Sequence, residues 1–230
     1  MSETLPLFPL STVLFPGMRL PLHIFEERYR TLITDLLARP EPRQFGVIAI
    51  RKGREVGPDS VTALHEVGCV ALLREVTPQA DGRYDLQTVG SDRFRLVRLE
   101  RPGETPYFRG EIERLPDQDI APGTAPPAGG LEAVVRQVQA GFRGYLNALA
   151  DRGGGVISVA DLPDEATLLS YVVGAAMIMD LPERQSLLAA PDALSRLRIE
   201  RSLLSRETAM LRTTTSRPAP DFTYEQFSPN

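Results

Sequence analysis

Residues 5–37, LPLFPLSTVLFPGMRLPLHIFEERYRTLITDLL, decide the fold. The segment opens with apolar residues that Pro6, Pro9 and Pro16 interrupt. Because proline has no N–H to donate to a ladder, this run is predicted to form edge strands with a bend rather than a central strand. Pro16-Gly17 is typical of a turn, since proline fixes φ and glycine tolerates positive φ. A second short strand is predicted over 19–22.

The hydrophobic period then changes from two to 3.6, which predicts a helix. Its apolar face is expected to contain Phe25, Tyr29, Leu32, Ile33, Leu36 and Leu37. Glu26 and Glu27 near its start and Arg39 near its end suit the helix dipole, and Pro40 is expected to stop it.

Short apolar runs separated by turn residues follow. Asp81-Gly82 is a hairpin signal, and Gly90-Ser91-Asp92 predicts another turn or a bulge. The nearly continuous apolar run from Val67 to Val76 predicts a strand buried on both faces. Strands at this spacing suggest a small, strongly bent sheet or barrel, and they are predicted over 45–50, 67–76, 84–89, 93–99 and 107–115.

The second half is predicted to be helical. Residues 116–130, PDQDIAPGTAPPAGG, are a Pro/Gly/Ala-rich stretch without periodicity, which indicates a linker (119–130) between a β domain (1–118) and a helical bundle (131–213). Predicted helix boundaries are the break at Gly153–Gly155, a start at Pro163-Asp164-Glu165, and caps at Asp180 and Asp192. The polar tail 214–230 is predicted to be flexible. Its aromatics Phe222, Tyr224 and Phe227 are expected either to hang free or to dock on this molecule or a neighbour.

The composition is that of a globular protein, with 42% hydrophobic and 24% charged residues and a net charge of −4. Such a balance gives no bulk attraction to nucleic acid or acidic membranes. The single cysteine, Cys69, excludes an internal disulfide and fits a reducing compartment. The N-terminus lacks a basic signal-peptide segment, and the longest apolar run, 171–179, is too short to span a bilayer. We therefore expect a cytoplasmic protein without membrane contact.

The opening segment is followed by FGVIAI at 45–50, LHEVGCVALLREV at 64–76, GSDRFRLVRL at 90–99, YFRGEIERL at 107–115 and DLPERQSLLAAPDALSRL at 180–197. In this order and spacing the segments resemble the Lon N-terminal (substrate-binding) domain family, in particular its stand-alone bacterial members without ATPase and peptidase modules. The resemblance covers roughly residues 5–213. It implies an α+β protein: a PUA-like β pseudo-barrel of about six strands plus one helix, followed by a C-terminal helical bundle. Signature positions expected to be architectural are Leu7, Pro9, Phe15, Pro16, Gly17, Pro21, Phe25 and Tyr29.

The resemblance also implies binding rather than catalysis. Its partners would be unfolded or extended polypeptide and a protease, and its role that of an adaptor or regulator of proteolysis. A peptide is expected either in a groove between the β and helical parts or at an open edge beside the Pro-rich first strand. Individual contact residues stay unassigned, no cofactor is expected, and homo-oligomerisation through the amphipathic C-terminal helix stays open.

Catalytic motifs are missing from the sequence. Lys52 is the only lysine and is followed by glycine, so no G-x-x-x-x-G-K-[ST] phosphate loop exists, and the Gly153–Gly155 run without a lysine is a loop. A Ser-Lys dyad would need a desolvated Lys52, but Arg51 and Arg54 indicate an exposed turn. Cys69 lies within a predicted strand and is expected to be inert rather than paired with His23 or His65. Two histidines and one cysteine without short spacing make no zinc site. A small ATP-independent hydrolase with an unrecognised site remains an alternative.

A second alternative is an RNA-binding barrel, because several arginines lie near Tyr107 and Phe108. Phosphate binding needs unneutralised positive charge, and acids alternate with these arginines. A solvated, internally paired strand face is therefore the better interpretation, and no nucleic-acid partner is expected. The residues concerned are Arg93, Arg95, Arg98, Arg101, Arg109 and Arg114, with Asp92, Glu100, Glu104, Glu111 and Glu113 between them.

Overall fold

The computed structural model describes residues 3–57, 61–118, 130–153 and 161–213. In the first half, strands and one helix follow in the order β1 (Glu3–Leu10), β2 (Arg19–Ile24), α1 (Glu27–Leu37), β3 (Gln44–Gly53), β4 (Val61–Leu64), β5 (Val67–Pro78), β6 (Tyr84–Glu100) and β7 (Arg109–Arg114). The second half contains α2 (Gly130–Gly153), α3 (Ala166–Ala176), α4 (Leu181–Ala189) and α5 (Ala193–Thr213). The predicted α+β class is confirmed.

The sheet has the strand order β1-β7-β6-β5-β3-β4, and β1 also pairs in parallel with β3. Backbone pairing therefore returns from β3 to β1 and forms a ring of five strands. The pseudo-barrel shape itself stays a prediction. The sequence pattern did not predict the short strand β4. The runs predicted separately at 84–89 and 93–99 form one strand, β6. Its pairing with β5 shifts register between Cys69 and Ala71. Gly90 is thus at a bulge, one of the two predicted alternatives.

The prediction that the first strand lies at an edge is wrong, because β1 has a neighbour on each side. Residues 3–6 pair with β7 and residues 7–10 with β3. The Leu7 N–H donates to the Phe108 carbonyl 2.8 Å away, so N–H groups of odd-numbered residues face β7 and those of even-numbered residues face β3. Pro6 therefore faces β3 before that pairing begins, and Pro9 faces β7 after that pairing has ended. Changing partners midway lets the strand keep both prolines without losing a ladder bond.

Helix α1 begins two residues later than the sequence pattern suggested. Glu26 is its N-cap with an extended backbone, φ −70° and ψ 136°. Phe25 therefore lies outside the helix, and its side chain is 50% exposed, so its placement on the buried helical face and as an architectural residue is wrong. The remaining apolar face is buried through Tyr29, Leu32, Ile33 and Leu36. Arg39 lies beyond the helix end.

In β5 only the first part follows the prediction of burial on both faces. Residues 67–71 are buried, whereas Arg74 and Glu75 are exposed where the strand extends toward the hairpin. The hairpin turn itself is confirmed, since Gly82 has a φ of 79°. The Pro16-Gly17 turn is confirmed by a Gly17 φ of 78° and by the Met18 N–H bond to the Phe15 carbonyl at 3.0 Å.

Carboxylate caps organise the helical half. Asp180 accepts from the Glu183 N–H at 2.8 Å and Asp192 from the Ser195 N–H at 2.7 Å, as predicted. Helix α3 begins at Ala166, after the start predicted at Pro163-Asp164-Glu165, so that prediction is wrong. Glu165 is its N-cap, because its carboxylate accepts from the Thr167 and Leu168 N–H groups. The predicted linker (119–129), glycine break (from 154) and tail (214–230) lie outside the described residues.

One large hydrophobic cluster connects the sheet, α1 and the helical half. It contains Phe8 and Phe45 from the strands, Phe142 and Tyr145 from α2, and the loop residue Phe15, which has no exposed surface. The predicted division into two domains stays a prediction, but both parts bury side chains in the same core. No helix within the described ranges has the length and hydropathy needed to cross a bilayer.

A buried carboxyl group lies inside the helical half. Glu200 of α5 has no exposed surface, and neither carboxyl oxygen has a hydrogen-bond partner among the described residues. A Cβ added at Gly174 would lie 3.4 Å from both Glu200 Oε1 and the Phe15 ring, so this carboxyl is close to the contact between α3 and the 11–18 loop. Burial raises its pKa well above the ordinary value, although the Arg196 guanidinium opposes the shift.

We expect Glu200→Gln to raise the free energy of unfolding at pH 7. The stability that a raised folded-state pKa contributes is fully present below the unfolded value of 4.5 and is lost as the pH rises through the folded value. The amide cannot ionise, so its advantage should shrink as the pH falls toward 4.5. Urea unfolding between pH 4.5 and 8 measures it. If Glu200→Gln raised the free energy of unfolding equally at every pH, the raised pKa of Glu200 would be contradicted.

Candidate functional site

A groove lies between the end of β1 and the edge of β2. This β1–β2 groove encloses about 180 Å³ and is lined by Phe8, Pro9, Leu10, Leu22, His23, Ile24, Phe25, Glu26, Tyr29, Glu55 and Val56. Its location matches one of the two predicted peptide sites, an open edge beside the Pro-rich first strand. Among the described strands β2 pairs with β6 alone, so its other side is free.

Exposed apolar side chains flank the groove. Phe25 is 50% exposed and Val56 is 57% exposed, although both are large apolar residues that usually pack inside. The floor is rigid by comparison, because the Phe8 and Tyr29 rings stack with centroids 4.0 Å apart. The groove thus combines a fixed aromatic floor with an apolar rim that water covers in the isolated chain.

Charged groups fix the loop that carries Val56. Arg28 pairs with Glu26 at 3.0 Å, donates to the Glu55 carbonyl at 2.9 Å, and places its guanidinium 4.5 Å from the centre of the Tyr29 ring. The Glu55 carboxylate accepts from the Ser11 N–H. Burial raises the pKa of Tyr29 to about 12, so the floor is uncharged at physiological pH.

His23, which also lines the groove, forms an exposed polar contact with Asp85. Its Nδ1 lies 2.7 Å from Asp85 Oδ1, and its ring stacks on Phe25 with centroids 6.3 Å apart. The hydrogen bonds from His23 and Gln79 hold the pKa of Asp85 below its ordinary value. His23 is therefore an exposed residue of the groove lining.

A larger cleft of about 610 Å³ also lies at the α1 N-terminus, and Glu26 lines both this cleft and the β1–β2 groove. Charged groups and prolines dominate its wall, and its aromatic residue, Phe108, is only 3% exposed. Its wall therefore carries more charge than that of the β1–β2 groove, whose charged lining residues are Glu26 and Glu55. The lining residues are Glu26, Glu27, Arg28, Thr31, Arg101, Pro102, Pro106 and Phe108.

The residues weighed as catalytic candidates, Cys69, His65 and Lys52, do not form a shared site. Cys69 is buried, its thiol lies near the Val70 and Ser91 carbonyls rather than a histidine, and burial raises its pKa to about 12. Burial and the nearby Arg51 lower the pKa of His65. Lys52 is exposed near the end of β3, which extends further than the predicted turn allowed. Within the described ranges no three His, Cys, Asp or Glu side chains form a group that could hold a metal ion.

The arginine-rich strand face is largely paired, as predicted. Arg98 pairs with Glu100 and Glu111, and Arg114 pairs with Glu3 and Asp92, all within 3.2 Å. These pairs leave little free positive charge for phosphate.

Arg93 contradicts the prediction of a solvated position, because it is 2% exposed. It donates to the Leu188 and Ala190 carbonyls and pairs with Asp117 at 2.6 Å. Asp117 also pairs with the buried Arg196 at 2.6 Å. The arginine thus fastens β6 to the helical half, a role that only the tertiary structure reveals.

Comparison with known proteins agrees with this architecture. The family model for the ATP-dependent protease La (LON) substrate-binding domain matches residues 4–206. Lon protease 2 of Syntrophobacter fumaroxidans is 27% identical over 85% of this chain, and Lon protease of Paraburkholderia phytofirmans is 31% identical over 85%. The chain spans 23% of the length of each of these two relatives.

Two solved structures are similar. The Lon N-terminal domain protein from Xanthomonas campestris has a TM-score of 0.58 and 27% identity, and the match covers 88% of this chain and 98% of that one. The N-terminal domain of the Mycobacterium avium complex Lon protease has a TM-score of 0.62 with the same coverage. At 18% identity the second likeness concerns the fold alone.

Proposed function

We propose that this chain, which belongs to the ATP-dependent protease La (LON) substrate-binding domain family, binds extended or unfolded polypeptide segments in the β1–β2 groove. The observation that carries the proposal is the exposed pair Phe25 and Val56 beside the free edge of β2. Covering this rim removes apolar surface from water, which favours binding.

The edge of β2 supplies the backbone part of the interaction. The Met18 carbonyl accepts from the Gly90 N–H, and the Leu20 carbonyl accepts from the Thr88 hydroxyl, so the even-numbered residues face β6. The backbone groups of Arg19, Pro21 and His23 consequently face outward. A peptide strand can bond to the N–H and carbonyl of Arg19 and His23, whereas Pro21 offers only a carbonyl. Such bonding is independent of peptide sequence, and the groove adds a preference for apolar side chains.

The double substitution Phe25→Ser and Val56→Ser tests the site. Each side chain is about half exposed, so covering it contributes about 1 kcal/mol, half of the value for full burial of a large apolar side chain. Losing both should weaken binding by about 2 kcal/mol, or roughly 30-fold in Kd. Fluorescence anisotropy of fluorescein-labelled β-casein, an unfolded protein, measures the change.

Ile178→Ser is the matched control. Ile178 is 70% exposed but lies after α3, away from the groove, so its loss should leave Kd unchanged. Equal weakening by the control and the double variant would show that casein binds exposed apolar residues indiscriminately. Unchanged binding by the double variant would refute the β1–β2 groove as the site.

The finer role proposed is that of a cytoplasmic, non-enzymatic adaptor or regulator that presents bound polypeptide to a protease. Family membership, the absence of a phosphate loop from the sequence, and the burial of the Cys69 thiol beside carbonyl groups support this role. Immobilised chain should capture the host's Lon protease in the presence of casein, and capture should fall with the Phe25→Ser and Val56→Ser variant. Casein binding without protease capture would support polypeptide binding in the β1–β2 groove and refute the adaptor role.

A further inference from the structure

A second groove runs between α2 and α5 and encloses about 570 Å³. Small residues make up its floor: Ala140, Gly141, Gly144, Ser205, Thr208 and Ala209. A Cβ added at Gly144 would meet no atom within 4 Å. The groove therefore has room for bulky side chains from another segment.

The groove also has unneutralised positive charge. Arg201 and Arg212 line it, and neither forms an ion pair with a carboxylate among the described residues. Arg201 donates to the neutral Gln137 amide oxygen at 2.8 Å. An occupant that carries both aromatic rings and carboxylates would match this lining.

We propose that the occupant is the chain's own C-terminal segment 221–230, which lies outside the described residues. It contains Phe222, Tyr224 and Phe227 together with Asp221 and Glu225, and it has no basic residue. Phe222 and Tyr224 are two residues apart and so share one side of an extended chain. The aromatic rings would then pack against the small residues of the groove, and the carboxylates of Asp221 and Glu225 would pair with Arg201 and Arg212.

The chain length fits this arrangement. Helix α5 ends at Thr213, directly beside the groove residue Arg212. From Arg201 to Arg212 the groove follows α5 for about 16 Å at 1.5 Å per residue. An extended segment 222–227 spans about 20 Å, and residues 214–220, with two prolines, are available to reverse the chain direction.

Tyr224→Trp in the full chain provides a direct probe, because the protein contains no tryptophan. We expect its emission maximum at a shorter wavelength than that of a free 214–230 peptide with the same substitution. Adding Gly144→Leu fills the groove and should move the emission to the value of the free peptide. The added side chain has room and favours helix formation, so the fold should persist, which circular dichroism checks.

Asn147→Leu, an exposed position of α2 outside the groove lining, is the control and should leave the emission unchanged. Three results would overturn the proposal. They are peptide-like emission from the full chain, insensitivity to Gly144→Leu, and loss of the wavelength shift on dilution, which would place the segment in the groove of a second copy.

Discussion

Asp117→Ala is expected to lower the free energy of unfolding by about 3 to 5 kcal/mol, the usual cost of removing one partner from a buried ion pair. Its Oδ1 lies 2.6 Å from a guanidinium nitrogen of both Arg93 and Arg196, and its Oδ2 accepts from the Tyr171 hydroxyl at 3.0 Å. The two arginine side chains are 1% and 0% exposed, so neither charge can be hydrated when the carboxylate is gone. Urea denaturation at pH 7 measures the loss.

Asp92→Ala is the matched control for this prediction. Asp92 pairs with Arg114 at 3.0 Å, but its side chain is 66% exposed, so its removal should cost no more than about 1 kcal/mol. Asp117→Asn should lie between the two, since an amide oxygen still accepts hydrogen bonds but carries no charge. Similar losses for Asp117→Ala and Asp92→Ala would mean that the buried arginines find other partners.

Gly90→Ala should cost about 3 kcal/mol, at the upper end of the range for overpacking a core. An added Cβ would lie 2.1 Å from the Phe15 carbonyl oxygen and 2.9 Å from its carbonyl carbon, and backbone atoms cannot rotate away. Gly90 is also bonded to this loop through the Gly17 N–H and the Met18 carbonyl, both at 2.9 Å. Moving the loop would break these bonds and withdraw the buried Phe15 ring. Urea unfolding measures this cost as well.

Gly103→Ala separates this steric effect from the general effect of removing a glycine. Its added Cβ would approach only the Arg101 carbonyl, at 3.9 Å, which is an ordinary contact. A surface change of this kind should alter stability by less than about 0.5 kcal/mol. If both variants unfolded at the same urea concentration, the 11–18 loop would have to be more adaptable than its contacts indicate.

Much of the fold follows from local signals in the sequence. Gly17 and Gly82 adopt the positive φ predicted for them, and Asp180 and Asp192 cap helices. Signals of this kind act within a few residues, so the chain alone reveals them.

Long-range features could not be predicted in this way. The pairing of β1 on two sides depends on β3 and β7, and Arg93 is buried only because α4 and Asp117 surround it. Asp117 lies in the Pro/Gly/Ala-rich stretch that suggested a linker, and no local pattern indicates its role. Phe25 fits the helical period, but the helix starts two residues after it, and this error conceals an exposed ring of the groove.

The two-sided pairing of β1 also affects how the chain folds as it is synthesised. Leu7 and its neighbours leave the ribosome long before β7, yet Glu3 pairs with Ile112 of that strand. Until β7 emerges, the apolar strand β1 lacks one of its two partners and can attract other nascent chains or chaperones. Closure of the ring is thus a late event, and a nascent chain stalled before β7 should be more prone to aggregate than one stalled after it.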